Sequence, residues 1–325
     1  MKSLTDEMMT AGVVRKLTIL IFTVPNDEHG KIIGHALTIR GHKVIYWNGL
    51  NFPTKSSLSA LYADGDVSFT FESSGECFTS DEVDVVWYRR RMLPVSPDIV
   101  DLRDKAFVEG ELRHAMDSCY AFLRKAFWIN DWNAAGCCSH KTFQLSLAQK
   151  IGFSIPPTLV SNDPLKVKDF ISSFHDGDCI YKPLNGYVWD EGGVKRMTFT
   201  SEVTRLDLPR DDLLRVTSGI YQKKIVKSYE VRVQFFGAFY GGVKINSSEL
   251  KFGDVDWRMD QDSISNCVKV DLPDDIYRKC RTLMNKLGIV SGAFDFIVDD
   301  KGEWVFMEVN EAVTCSPRAI PIEAE

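Results

Sequence analysis

The chain reads as an α/β protein whose last third is strand-rich and of α+β character. Two observations carry this. Near the start, the continuous apolar run Leu17–Thr23 is followed by a helix and then by the apolar strand Val44–Trp47; unbroken apolar strands suit a sheet covered on both faces. After Ile220, strands follow one another with a period of two, and only one helix interrupts them. The 325 residues, 44% apolar and 26% charged, have the composition of an ordinary globular protein with room for one large domain or two to three small ones.

The first stretch, residues 14–133, opens with the strand at Leu17 and a turn at Asn26-Asp27-Glu28. Ile32, Ile33, Ala36 and Leu37 share one side of the helix that follows, and Gly41 closes it. Val67–Phe71 alternates as an antiparallel strand. Val83–Tyr88 returns to the sheet and delivers Arg89, Arg90 and Arg91; a helix with Phe107, Leu112, Met116 and Phe122 comes next. The second stretch, 134–219, starts with Ser139 as the expected cap of a helix over His140–Lys150, closed by Gly152. A strand from Ile155, a helix capped by Asp163-Pro164 and the strand Cys179–Pro183 follow. Asn185–Lys195, polar and holding Gly186, Gly192 and Gly193, reads as a mobile loop. In the third stretch, 220–325, strands are expected over Ile220–Val226, Tyr229–Phe236 and Ala238–Asn246, and a helix over Leu272–Leu287. A hairpin, Val290–Val298 with Trp304–Val309, then turns at Asp300–Gly302.

Several function classes drop out. With 39 basic against 45 acidic side chains the net charge is −6, which argues against a nucleic-acid binder. No apolar run is long enough for a membrane helix, and Met1–Gly12 lacks a secretory core; a cytoplasmic protein is expected. The eight cysteines have no Cys-x-x-Cys pair, so buried, reduced thiols are expected rather than disulfides or a zinc site. Neither Gly-x-x-x-x-Gly-Lys-Ser/Thr nor Gly-x-Gly-x-x-Gly occurs, which disfavours P-loop and Rossmann sites.

The final hairpin carries most of the chemical information. Asp295 interrupts the apolar strand Gly-Ala-Phe-Asp-Phe-Ile-Val. Glu308 and Asn310, two apart, share a side of the returning strand. Local sequence supplies these carboxylates with no basic partner, and an unpaired buried charge is costly. Two carboxylates and an amide oxygen are hard ligands suited to Mg²⁺; the alternative is two edge carboxylates in unrelated hydrogen bonds. Lys141 after a helix cap and Lys182 at a strand end suit phosphates. Gln222-Lys223-Lys-Ile225 offers backbone groups to a base edge. Glu230, Arg232 and Gln234 alternate on one face of an otherwise apolar strand, and Arg258 in Asp256-Trp-Arg258 adds a guanidinium. Taken singly, each lone cation is more often a solvated surface charge.

In this order, the motifs resemble the ATP-grasp superfamily, and within it the graspetide synthetases, the microviridin-type peptide ligases. The resemblance spans nearly the whole chain. Val86-Trp-Tyr-Arg-Arg90 and Asn51-Phe-Pro53 resemble the pre-ATP-grasp signature. His140-Lys141-x-x-Gln144-Leu145, Ile155-Pro-Pro-Thr158 and Ser161-Asn162 resemble the central segment. Gln222-x-x-Ile225, Glu230-Val-Arg232, Ile245-Asn-Ser247, Asp256-Trp-Arg258, Gly292-Ala-x-Asp295 and Glu308-Val-Asn310 resemble the grasp core.

The resemblance implies an ATP-grasp fold behind an N-terminal pre-ATP-grasp domain (14–133), with a central subdomain (134–219) and a C-terminal one (220–325). ATP and Mg²⁺ are the implied cofactors. Lys141 and Lys182 would contact phosphates, Gln222, Lys223 and Ile225 would meet adenine, and Glu230 the ribose. Asp295, Glu308 and Asn310 would hold Mg²⁺; Arg232 and Arg258 would serve the γ-phosphate and the acyl phosphate. The implied substrate is a ribosomal precursor peptide, leader plus core, whose Asp or Glu side chains become macrocyclic esters to Thr or Ser, or amides to Lys. A homodimer is expected. Two features depart from the family: Lys223 stands where many relatives carry Glu, and Glu311–Arg318 replaces a Gly-Gln-aromatic run. The rival readings are a ligase of free amino acids and a binding module that has lost turnover.

Overall fold

The first core strand, β1 (Thr18–Thr23), is buried along nearly its whole length. In this computed structural model, which describes residues 15–73, 75–90, 94–246 and 268–312, the chain divides into two compact units, Met1–Trp132 and Asn133–Glu325.

In the first unit β1 is followed by α1 (Glu28–Ile39), β2 (Lys43–Asn48), β3 (Ser56–Ala63), β4 (Asp66–Ser73), β5 (Glu76–Thr79), β6 (Val85–Tyr88), α2 (Lys105–Phe122) and β7 (Phe127–Ile129). Strands β2-β1-β6-β7 form a parallel sheet, and β3-β4-β5 a separate antiparallel one. The apolar run of β1 thus sits between two parallel neighbours, as expected for a doubly covered strand.

Helix α1 packs differently from its sequence pattern. Ile32 and Ile33 are about half exposed, and Gly30 and Gly34 are the buried residues. A methyl group on Gly34 would run into the Tyr46 hydroxyl, so the absence of side chains at 30 and 34 lets α1 approach β2. Phe107, expected on the apolar side of α2, is also exposed, whereas Leu112 and Met116 are buried. Arg89 is 1% exposed. Its guanidinium donates to Asp27 at 3.3 Å, and Asp27 accepts from the Thr23 hydroxyl at 2.7 Å. Desolvation lowers the Arg89 pKa from its usual value, and the Asp27 charge opposes the shift.

The second unit begins with α3 (Trp132–Cys138), which straddles the division between the units, and continues with α4 (Lys141–Ile151) and β8 (Thr158–Ser161). Ser139 does not cap α4: its hydroxyl donates to the Gly136 carbonyl, finishing α3, and His140 is the cap residue. Then come α5 (Pro164–Ser172), β9 (Cys179–Lys182), β10 (Val188–Glu191), β11 (Val194–Met197), β12 (Ser201–Glu202), α6 (Asp211–Leu214) and β13 (Gly219–Lys223). The polar Asn185–Lys195 stretch is a hairpin arm rather than a loop. β10 pairs antiparallel with β11, and Gly192 and Gly193, both at positive φ, make the turn. Strands β12-β9-β13-β8 form one antiparallel sheet.

The remaining elements are β14 (Lys227–Phe236), β15 (Phe239–Ile245), β16 (Val268–Val270), α7 (Asp274–Leu287), β17 (Ser291–Asp299) and β18 (Trp304–Asn310). They form an antiparallel sheet ordered β16-β15-β14-β17-β18. Its apolar face, with Val231, Val233, Phe294 and Phe306, packs on Leu145 and Ala148 of α4 and on Cys280, Leu283 and Met284 of α7. Gly288, at φ 72°, ends α7 as a left-handed cap. The opposite face is left for polar side chains.

Candidate active site on the polar face of the C-terminal sheet

Three strands set the site. The register places Arg232 of β14 beside Asp295 of β17, and Asp295 beside Glu308 of β18. Period-two alternation alone would put Glu308 and Asn310 on the helix-packed face, because Trp304 and Phe306 point there. A β-bulge prevents this. Phe296 pairs with Phe306 while Asp295 pairs with Glu308, so Met307 is the extra residue. The bulge reverses the alternation, turning Glu308 and Asn310 to the side of Asp295 and leaving Val309 in the core.

The resulting cluster is tightly bonded. Arg232 Nη1 donates to both Asp295 oxygens, at 3.0 and 3.2 Å. Asn310 Nδ2 donates to Asp295 at 3.3 Å and to Glu308 at 3.1 Å. Lys141, in the first turn of α4, stands 3.1 Å from Glu308, where the positive end of the helix also favours an anion. Arg232, Asp295 and Glu308 are buried. The cations missing from the local sequence therefore arrive from β14 and α4.

A second group lies on the β8–β9–β13 sheet. Lys182 donates to Gln222 Oε1 at 2.9 Å, and Gln222 donates to the Thr158 hydroxyl at 2.8 Å. Lys182 is thereby held at a strand end. Lys223 is exposed, with its ammonium 6.0 Å from the Phe174 ring. Glu230 accepts from Lys227 at 2.7 Å; Lys227 escaped notice in the sequence because nothing in its spacing marks it. Ile225 lies in the connection between β13 and β14. Arg258, with Asp256-Trp-Arg258, and most of the divergent Glu311–Arg318 run lie outside the described residues.

Asp295, Glu308 and Asn310 fit a hard divalent cation: two carboxylates converge with an amide whose oxygen replaces its nitrogen on rotation of the side chain. Arg232 and Lys141 now neutralise these carboxylates, and a cation there would free both for phosphate oxygens.

Residues 18–135 match the family model described as the MvdD pre-ATP grasp domain. Among solved structures, a RiPP-associated ATP-grasp ligase of Chryseobacterium gregarium, in complex with ADP and a leader and core peptide, matches with a TM-score of 0.83. It is 29% identical, over 92% of this chain and 90% of that one. The two matches together support an ATP-grasp synthetase of the graspetide type. The macrocyclase MdnC of Microcystis aeruginosa MRC, bound with precursor peptide MdnA, resembles this synthetase at a TM-score of 0.83 and 27% identity, over 94% of this chain and 96% of that one. Its MdnB counterpart gives 0.77 and 25%, over 92% of each chain. No curated protein matches the synthetase in sequence. Among its described residues no helix is long and apolar enough to cross a membrane.

Proposed function

We propose that this synthetase uses Mg-ATP to phosphorylate Asp or Glu side chains of a ribosomal precursor peptide, then closes each acyl phosphate onto a Thr or Ser hydroxyl, or a Lys amine, of the same peptide. The observation that carries the proposal is the Arg232–Asp295–Glu308–Asn310–Lys141 cluster, two carboxylates and an amide flanked by two cations. The proteins it resembles are described as ligases or macrocyclases with leader, core or precursor peptide bound.

Asp295, Glu308 and Asn310 would hold Mg²⁺, which when bound offsets charge on the phosphate oxygens. Lys141 and Lys182 would orient the phosphates. Arg232, together with Arg258, would steady the transferring phosphoryl group and the acyl phosphate. Gln222, Lys223 and Ile225 would line the adenine and Glu230 the ribose. The peptide carboxylate attacks the γ-phosphorus, ADP leaves, and the hydroxyl or amine then expels phosphate and loses its proton. Alignment of the reacting groups and exclusion of water supply most of the rate. The β10–β11 arm suits an apolar leader segment: Tyr187 and Trp189 are exposed and stacked, ring centroids 6.5 Å apart. We assign 14–133 to the pre-ATP-grasp domain, 134–219 and 220–325 to the two grasp subdomains, and expect a cytoplasmic homodimer.

ADP release in the presence of precursor peptide tests the site. Glu308→Gln and Lys182→Ala should each lower it by about 100-fold or more, and chelation of Mg²⁺ should stop it reversibly. Release at wild-type rates by either variant would remove that residue from the mechanism.

A further inference from the structure

Gln144 stands in the His140-Lys141-x-x-Gln144 motif, yet it is 2% exposed and reaches no phosphate-binding group. Its side-chain amide instead faces the main chain of Val309. Gln144 Oε1 accepts from Val309 N–H at 2.9 Å, and Gln144 Nε2 donates to the Val309 carbonyl at 2.7 Å and also to the Cys138 carbonyl. Among the described residues β18 is the edge strand of its sheet, so no described strand neighbours these Val309 groups. The glutamine takes the place of one, by the same donor–acceptor pairing that a strand would provide. Val309 lies between Glu308 and Asn310 and just beyond the bulge residue Met307.

We infer that Gln144 is a positioning residue that pins the bulged end of β18, holding Glu308 and Asn310 towards Asp295 and fixing their distance from Lys141, one helical turn away on α4. The inference rests on the reading of Asp295, Glu308 and Asn310 as ligands of the divalent ion. A bulged edge strand is free to slip by one residue, and a slip would return both ligands to the apolar face. Gln144 ties α4 to β18 through two hydrogen bonds, and to the end of α3 through a third, in a site closed to water. Groups that hold a ligand in this way typically contribute 10- to 100-fold in metal affinity.

The test uses the full chain, Mn²⁺ as probe and ADP in excess, with bound Mn²⁺ counted from the electron paramagnetic resonance of the free ion. Melting temperature and metal-free ADP binding are measured alongside. Gln144→Asn carries the same amide but falls one methylene short. Mn²⁺ affinity should drop by about ten-fold, while metal-free ADP binding holds. Gln144→Met keeps the length and the approximate volume of the side chain, adds no charge, and has neither the donor nor the acceptor for Val309. A weaker Mn²⁺ affinity in this variant reports the lost hydrogen bonds. If Gln144→Asn does not fold, Gln144→Met decides. Wild-type Mn²⁺ affinity in the folded variants overturns the inference, as does a parallel loss of Mn²⁺ and metal-free ADP binding, which is the mark of general disruption. Absence of Mn²⁺ binding in the wild-type ADP complex instead overturns the ligand reading itself.

Discussion

Replacing Asp295 by Asn keeps its shape and removes its charge. The Arg232 and Asp295 side chains are 10% and 11% exposed, and one guanidinium nitrogen reaches both carboxylate oxygens at 3.0 and 3.2 Å. The variant leaves a nearly dry guanidinium facing a neutral amide. Breaking such a pair from one side costs about 3–5 kcal/mol. For a folded unit of this size that corresponds to a melting temperature lower by on the order of 10 °C. Exchanging both partners for apolar residues of similar volume, Arg232→Met with Asp295→Leu, removes the stranded charge as well and should recover most of the loss. Thermal melts followed by circular dichroism on wild type, both single variants and the double variant complete the cycle. ADP release should stay abolished in the double variant, separating the stabilising role of the pair from its chemical one. An Asp295→Asn protein that melts within about 1 °C of wild type, or a double variant no more stable than the singles, would refute the argument.

Other consequences are open to direct test. Burial pushes the thiols of Cys119, Cys138 and Cys280 above the usual range, whereas Cys77 and Cys137 are exposed. Only a thiolate reacts, so mass spectrometry after brief alkylation of the native protein at neutral pH should find label at Cys77 and Cys137 and not at the buried three. Label at Cys138 before unfolding would contradict the packing of α3. Gly34→Ala places a methyl against the Tyr46 hydroxyl and should cost about 1–3 kcal/mol in denaturant titration. Combining it with Tyr46→Phe should relieve part of the cost; an unchanged midpoint for the single variant would show that α1 and β2 do not approach as described.

Much of this was legible in the sequence because local rules dominate there. The apolar run of β1, the Gly288 end of α7 and the Asp295 interruption of an apolar strand all state their roles within a few residues. The hairpin partnership of Asp295 with Glu308 also follows from a short turn at Asp300–Gly302. What was hidden depends on neighbours distant in the chain. The charges that neutralise Asp295 and Glu308 come from Arg232 and Lys141, about 60 and 170 residues away by the spacing of strands and helices. The bulge at Met307 has no composition of its own; a stretch reading Trp-Val-Phe-Met-Glu-Val-Asn alternates acceptably in either phase. One signal was available: Phe306 and Val309, both apolar, are three apart in a strand, which strict alternation does not allow. The hairpin β10–β11 was obscured by its polarity, since an arm without a core shows no apolar period.

The central claim is tested most directly by mass spectrometry of the cognate precursor peptide after incubation with the synthetase, ATP and Mg²⁺. Loss of one water per ring formed, absent with Glu308→Gln and without ATP, is the predicted result. A peptide of unchanged mass, with ATP bound and the enzyme folded, would contradict ring formation; a peptide that gains the mass of an added amino acid would assign the same site to a different ligation.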